Sequence, residues 1–420
     1  MTKNGKITVL YVNHEDNVVG GASWSLVNLI RSVNEYVIPV ILLRSEGPVA
    51  DFFRSKGYEC IVHSFRRLTY KGGVLKRTLR FLPHLVTNTW INHKCVKDVS
   101  RLLAGRNVSI VHSNSGVIDI GLALAEKLGA RHVWHIREYF DLGLNARPFR
   151  GFGRWNVELR RSDAVILISN GLREHLGLKD CLSAYCFPDA VRSKNDVVLD
   201  TEKEKYFLFC AGEMGAVKRP ETAIRAFGGS GLSAKGYSLV FTGNCREERK
   251  AGLMEVAKEA GVENNVEFRG YVADIRSLMS KATAYLMCSE FEGLGRVTIE
   301  AMFYGCPVIA RRSGGTLEII TDRRNGFFFD TVEECSGLMN MLASALPLDV
   351  VRKAVYFNLL PLIALPFVAL LDAPSVQEWI TASDVSADRP KSRSRVRNAP
   401  KQPMITTCQV QSERHFAAIA

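Results

Sequence analysis

The chain has 420 residues, of which 47% are hydrophobic and 23% charged, and it carries a formal net charge of +12. That length and balance suit two soluble globular domains, each with its own core, and exclude a chain too polar to fold. Ten cysteines without a CxxC pair or a metal-ligand rhythm exclude a zinc module and read as reduced core thiols.

The opening MTKNGKITVLYV is a polar flank and a short apolar run, which reads as a first buried strand rather than a signal peptide. A cytoplasmic location is the corresponding expectation. Further β-branched runs follow at Val37–Leu43, Ile110–His112, Arg131–Ile136 and Ala164–Ser169. Between them, Ser23–Val33 and Ile118–Leu128 carry apolar residues at helical spacing. The stretch from Phe65 to Trp90 mixes Arg66, Arg67, Lys71, Lys76, Arg77 and Arg80 with aromatic and aliphatic residues. It reads either as a segment lying on an anionic membrane surface or as a solvated helix over the first core. A second basic cluster runs from Arg389 to Lys401. Basic surface attracts anionic lipid, nucleic acid or phosphorylated substrates alike, but no nucleic-acid-binding motif accompanies it, so nucleic acid is not an expected partner.

The polar stretch within Asp180–Lys205 reads as a linker. The strand pattern then restarts at Tyr206–Ala211, Tyr237–Thr242, Val266–Phe268, Ala284–Met287 and Pro307–Ala310. Strand–helix alternation implies parallel sheets covered on both faces. The expected fold class is therefore α/β, with two doubly wound, Rossmann-like domains facing across a cleft. The expected bounds are 1–185, a linker at 186–203, a second domain at 204–345, and an atypical tail at 346–420. In the tail, Ala354–Leu371 is almost wholly apolar but holds Pro361 and Pro366. It reads as either a membrane-inserted or a buried segment, followed by a disordered basic end.

Chemistry concentrates in Ser289–Glu318. A strand leads to a turn with Glu292, Gly293 and Gly295, then a helix carrying Arg296 and Glu300. The next strand runs into Ser313-Gly314-Gly315. Glycines at a strand-to-helix turn let backbone N–H groups approach a ligand, and a helix N-terminus favours an anion such as a diphosphate. Carboxylates suit paired sugar hydroxyls, and an arginine between them can counter phosphate charge.

This segment resembles the Glu-x7-Glu signature of retaining, GT-B-fold glycosyltransferases of family 4, in particular members that build bacterial surface polysaccharides. The resemblance extends through FLFCAGEMGAVKRPETAIRAF, YSLVFTGN and VEFRGYVADIRSLMSKATAYLMCS, and more weakly to VGGASWSLVNLI and ARHVWHIREYF. It implies catalytic roles for His135 and Glu292, with Glu292 on the donor sugar and Glu300 on the ribose. It places the donor diphosphate against Leu294, Gly295 and Arg296, helped by Lys218 or Arg219, with Gly20 and Gly21 closing from the first domain. Arg137 and Glu138 become neighbouring cleft candidates. The implied reaction moves a sugar from a nucleotide-sugar donor to a lipid-linked or oligosaccharide acceptor with retained configuration, at the inner face of the plasma membrane. No cofactor or metal is expected, since no Asp-x-Asp motif lies in a suitable place.

Three departures from the family stand out, and two of them, Glu213 and the tail, favour an alternative, a catalytically degenerate binding or scaffold protein. Gly212 is followed by Glu213 where the family usually has arginine. The interdomain turn reads Pro188-Asp189-Ala190-Val191, and the tail lacks the family's returning helix. A nicotinamide oxidoreductase is excluded, because Tyr11–Gly21 provides no Gly-x-Gly-x-x-Gly turn.

Overall fold

The computed structural model describes residues 6–67, 69–71, 74–143, 146–191 and 202–345, with side chains left aside at 71 and 74–82. These residues all lie in one compact unit, Met1–Leu371. The apolar stretch 354–371, the basic cluster 389–401 and residues 192–201 of the expected linker fall outside them.

The N-terminal half alternates β1 (Ile7–Val12), α1 (Gly21–Ser32), β2 (Val37–Leu43), α2 (Pro48–Ser55) and β3 (Glu59–Val62). It continues through β4 (Thr69–Lys71), α3 (Val74–Leu102), β5 (Val108–Ser113), α4 (Ile120–Leu128), β6 (Arg131–Ile136) and β7 (Ala146–Pro148). It closes with α5 (Gly151–Arg161), β8 (Ala164–Leu167), α6 (Asn170–His175) and β9 (Ala184–Cys186). Seven of these strands form a parallel sheet in the order β3-β2-β1-β5-β6-β8-β9, while β4 and β7 pair antiparallel outside it.

The C-terminal half runs β10 (Tyr206–Glu213), α7 (Pro220–Ser230), β11 (Ser238–Asn244), α8 (Glu247–Glu259), β12 (Val266–Phe268) and α9 (Arg276–Lys281). Then follow β13 (Ala284–Met287), α10 (Arg296–Phe303), β14 (Val308–Arg311), α11 (Thr316–Ile319), β15 (Phe327–Phe329) and α12 (Val332–Ser344). Its parallel sheet has the order β12-β11-β10-β13-β14-β15.

Local sequence explains these elements. The central strands are continuous apolar runs because helices cover both faces of each sheet. Pro220 opens α7 at its first turn, Gly129 closes α4 at φ 68°, and Thr331 with Glu334 forms a capping box on α12. The largest apolar cluster includes Trp134, Trp155 and Ile168 of the first half and Tyr285 and Leu294 of the second, so the halves share packing.

β9 extends the first sheet beside β8 (Val165 opposite Ala184), ahead of the polar stretch read as a linker. One sequence expectation is revised. Phe65, grouped with a membrane-facing stretch, is instead buried in the first core, whereas Trp90 on α3 is 65% exposed. Among the described residues no helix is long and apolar enough to cross a membrane.

Candidate active site

Each sheet reverses its strand order beside its first strand, between β1 and β5 and between β10 and β13. Ligands of doubly wound sheets bind at such switch points, beyond the carboxyl ends of the strands. There a cleft of ≈ 300 Å³ opens between the halves. His14, Glu15, Gly21, Arg137 and Glu138 line it from the first half, and Lys218, Glu292 and Gly293–Arg296 from the second.

The second-half wall is built by the turn after β13. Gly295 precedes α10 at φ 90°, a left-handed conformation that suits glycine. A Cβ added to Gly293 would come within 2.5 Å of the Arg137 carbonyl oxygen, so glycine there lets the halves meet. The second glycine turn braces this loop, with Gly315 N–H donating to the Glu292 carbonyl at 2.7 Å.

Lys218 sits in a short 3-10 turn after β10 and pairs with the Glu292 carboxylate. The two expected ligand contacts therefore satisfy each other. Arg296 reaches across the cleft, donating to the Ser25 hydroxyl on α1, and its stem passes 3.6 Å from where a Gly21 Cβ would stand.

Two expected donor contacts do not line the cleft. Arg219 adopts a left-handed conformation (φ 51°) before Pro220, which sends its guanidinium to Glu290 at 2.5 Å on the outer surface. Glu300 sits one turn beyond Arg296 on α10, behind the lining, where its charge adds to burial in raising the Cys210 thiol pKa. Glu213, the departure that favoured a degenerate protein, is 69% exposed and faces Arg246 at 3.4 Å rather than the cleft.

In the first half, Gly20 and Gly21 begin α1 as expected, but Glu15 already serves part of this N-terminus. Glu15 accepts from Gly20 N–H at 3.0 Å and Ser23 N–H at 3.1 Å, and also from the Ser23 hydroxyl. An acid in the preceding loop thus caps the helix and takes the place an anion would occupy.

His135 lies at the end of β6 but one layer below the cleft surface. Its Nδ1 accepts from Arg137 Nη2 at 3.1 Å, since a guanidinium only donates; the imidazole is therefore the Nε2–H tautomer. Burial, reinforced by Arg137, holds its pKa well below the usual histidine value. Arg137 also donates from Nε to Asn114 at 3.1 Å and pairs through Nη1 with Asp189. Burial, with the Arg296 charge, brings its guanidinium down to about 9. Glu138 accepts from Gly116 N–H at 3.1 Å and from the Ser115 hydroxyl, and burial raises its carboxyl.

Glu15 and Asp189 were not singled out as site residues from sequence. Asp189 stood out only as a departure at the interdomain turn, and a lone acid in a polar loop such as Glu15 gives no periodic signal. No group of three or more His, Cys, Asp or Glu side chains suited to a metal occurs among the described residues.

Comparison with known proteins follows this geometry. Residues 191–345 match the family model for glycosyl transferases group 1. The lipopolysaccharide core biosynthesis glycosyltransferase LpsE of Rhizobium meliloti (strain 1021) is 32% identical over 177 residues, covering 41% of this chain and 50% of that one. The Vi polysaccharide biosynthesis protein VipC/TviE of Salmonella typhi is 30% identical over 97 residues, 23% of this chain and 16% of that one. The chain thus spans half or less of the length of these curated relatives. Among solved structures, Anabaena HepE in complex with UDP and glucose superposes with a TM-score of 0.68 at 16% identity, covering 90% of this chain and 100% of that one. A glycosyltransferase from Rickettsia africae ESF-5 gives 0.69 at 17% identity, covering 90% and 99%. The chain accordingly has the GT-B fold, and its residues 191–345 carry a glycosyl transferases group 1 domain.

Proposed function

We propose that this chain is a retaining glycosyltransferase of the family 4 type. It moves a sugar from a nucleotide-sugar donor to a lipid-linked saccharide acceptor during assembly of bacterial surface polysaccharide, at the inner face of the plasma membrane and without metal. The observation that carries this reading is the pairing of Lys218 with Glu292 at the mouth of the α10 N-terminus. A donor diphosphate would take Lys218, Arg296 and the amides near Leu294 and Gly295, releasing Glu292 to accept from sugar hydroxyls. Charge developing on the leaving diphosphate is then met by groups already in place. His135 supports this site through Arg137 rather than by direct contact. The printed ligands of HepE make a UDP-sugar the first donor to try, and the names of LpsE and VipC/TviE support a surface-polysaccharide role.

The test is nucleoside-diphosphate release from a panel of UDP-, GDP- and ADP-sugars with lipid-linked acceptors, with and without EDTA. Release from one donor, unchanged by EDTA, with the product's anomeric configuration retained by NMR, is the expected result. Folded protein that binds nucleotide but releases no diphosphate across the panel would instead assign it to the non-catalytic alternative.

A further inference from the structure

A second cavity of ≈ 270 Å³ opens on the N-terminal half and shares no lining residue with the cleft. Its lining combines two chemistries, guanidiniums and a carboxylate beside amides. Arg150 and Arg154 both face the carboxylate of Glu158, at 3.6 and 3.1 Å, and Arg150 also interacts electrostatically with Asp119. Arg67 also lines the cavity, and its guanidinium donates to the His14 carbonyl at 3.4 Å. Asn88 and Asn92 of α3 and Asp119, which precedes α4, line it as well. Asn92 accepts from Arg66 N–H at 2.7 Å and donates to the Arg66 carbonyl at 3.1 Å and to Asp119 at 3.0 Å, so its amide is committed to holding Asp119.

We infer that this cavity binds a phosphorylated polyol, with the arginines holding the phosphate, Asp119 and Asn88 contacting the hydroxyls, and Asn92 positioning Asp119. Guanidinium forks match phosphate oxygens in pairs, and a carboxylate beside amide groups suits adjacent hydroxyls. Arg67, Arg150 and Arg154 outnumber Glu158 and Asp119: an anion site needs no Asp119, and a neutral sugar needs no such surplus of guanidinium. The same chemistry is offered by a soluble sugar or glycerol phosphate and by a glycerol-phosphate lipid headgroup. The second source gains support from Val86 and Trp90 of α3, exposed beside the lining residues Leu85 and Thr89. The inference stands whether or not the cleft transfers sugar.

The experiment is hydrogen–deuterium exchange and calorimetric titration of the full chain with glycerol 3-phosphate, using glycerol as control. Exchange should slow across residues 85–96 and 150–161 with the phosphate and not with glycerol. The Arg67→Gln/Arg154→Gln variant should weaken binding at least about tenfold, the scale of losing charge-assisted hydrogen bonds. Asn88→Asp, which adds a carboxylate without changing shape, should weaken it as well and serves if the double variant does not fold. Phosphatidylglycerol vesicles retained by wild type, released by the variants and ignored when made of phosphatidylcholine would identify the lipid source. Binding of the soluble probe alone would identify the free one. No protection in either segment, or equal affinity in a folded variant, overturns the inference. Protection of residues 290–300 by UDP, read in the same samples, reports on the cleft separately.

Discussion

Lys218 and Glu292 neutralise each other on one wall of the cleft, the lysine from the turn after β10 and the glutamate from the turn after β13. Both side chains remain partly open to solvent, at 32% and 15% exposure, so the pair holds the site in order without contributing much to stability. Each member becomes available only when the other is released.

Glu292→Gln should lower sugar transfer about a hundredfold or more while leaving the thermal unfolding midpoint unchanged, because the residue acts on the ligand and not on the core. Lys218→Ala should weaken donor binding about tenfold, as measured by calorimetry with the nucleotide-sugar. Unaltered affinity in that variant would remove Lys218 from the donor site.

The Arg137–Asp189 pair behaves differently because both side chains are almost fully buried. Asp189→Ala strands a guanidinium in a dry site and should cost about 3–5 kcal/mol in urea unfolding. Replacing both residues by leucine should recover most of that loss, since no unpaired charge remains. A mild effect of Asp189→Ala would show that water reaches Arg137.

Gly293→Ala tests how the halves meet. The new methyl would lie 2.5 Å from the Arg137 carbonyl oxygen and 3.0 Å from the Ile168 Cδ1. An overpacking cost of about 1–3 kcal/mol is relieved most simply by parting the halves. Small-angle scattering should show a larger radius of gyration, and turnover should fall with the closed cleft. Unchanged scattering with full activity would place the adjustment within the loop.

Acid should destabilise the protein through His132. Its ring is hydrogen-bonded to Ser113 and Ser162, both at 2.9 Å, and burial brings its pKa down to about 3. The unfolded chain therefore binds a proton below about pH 6.5 that the folded chain refuses, so stability falls with pH from there toward 3. Between pH 7 and 5 this histidine alone should cost about 2 kcal/mol. His132→Gln should flatten the urea-unfolding pH profile in that window; an identical slope would assign the effect to other groups.

Much of this was legible in the sequence because it rests on periodicity and glycine placement. The central strands, the Ser289–Glu318 turn and the positions of Lys218, Glu292 and Arg296 follow from short apolar runs ending in glycine-rich turns. The short strands β3, β4, β7, β9 and β15 were not, because three or four residues carry little pattern unless, as in β12, apolar positions stand out between polar flanks. Arg219 was misplaced for a conformational reason: sequence spacing does not show that its backbone turns left-handed before Pro220. His135 was placed at the right strand end but not at the right depth. Depth depends on Arg137 folding over it, and that requires Asp189, 52 residues away in sequence.

Glu15 is a ligand that the protein supplies to its own helix. Its carboxylate already sits on the first turn of α1, just as Lys218 already holds Glu292 and Arg137 already holds Asp189. A ligand entering such a cleft trades places with internal partners instead of condensing onto bare charge, so few dissolved ions depart when it binds. Affinity for the true ligand should then vary little with ionic strength, and stray single anions gain no foothold, because none carries enough charge to make the exchange worthwhile.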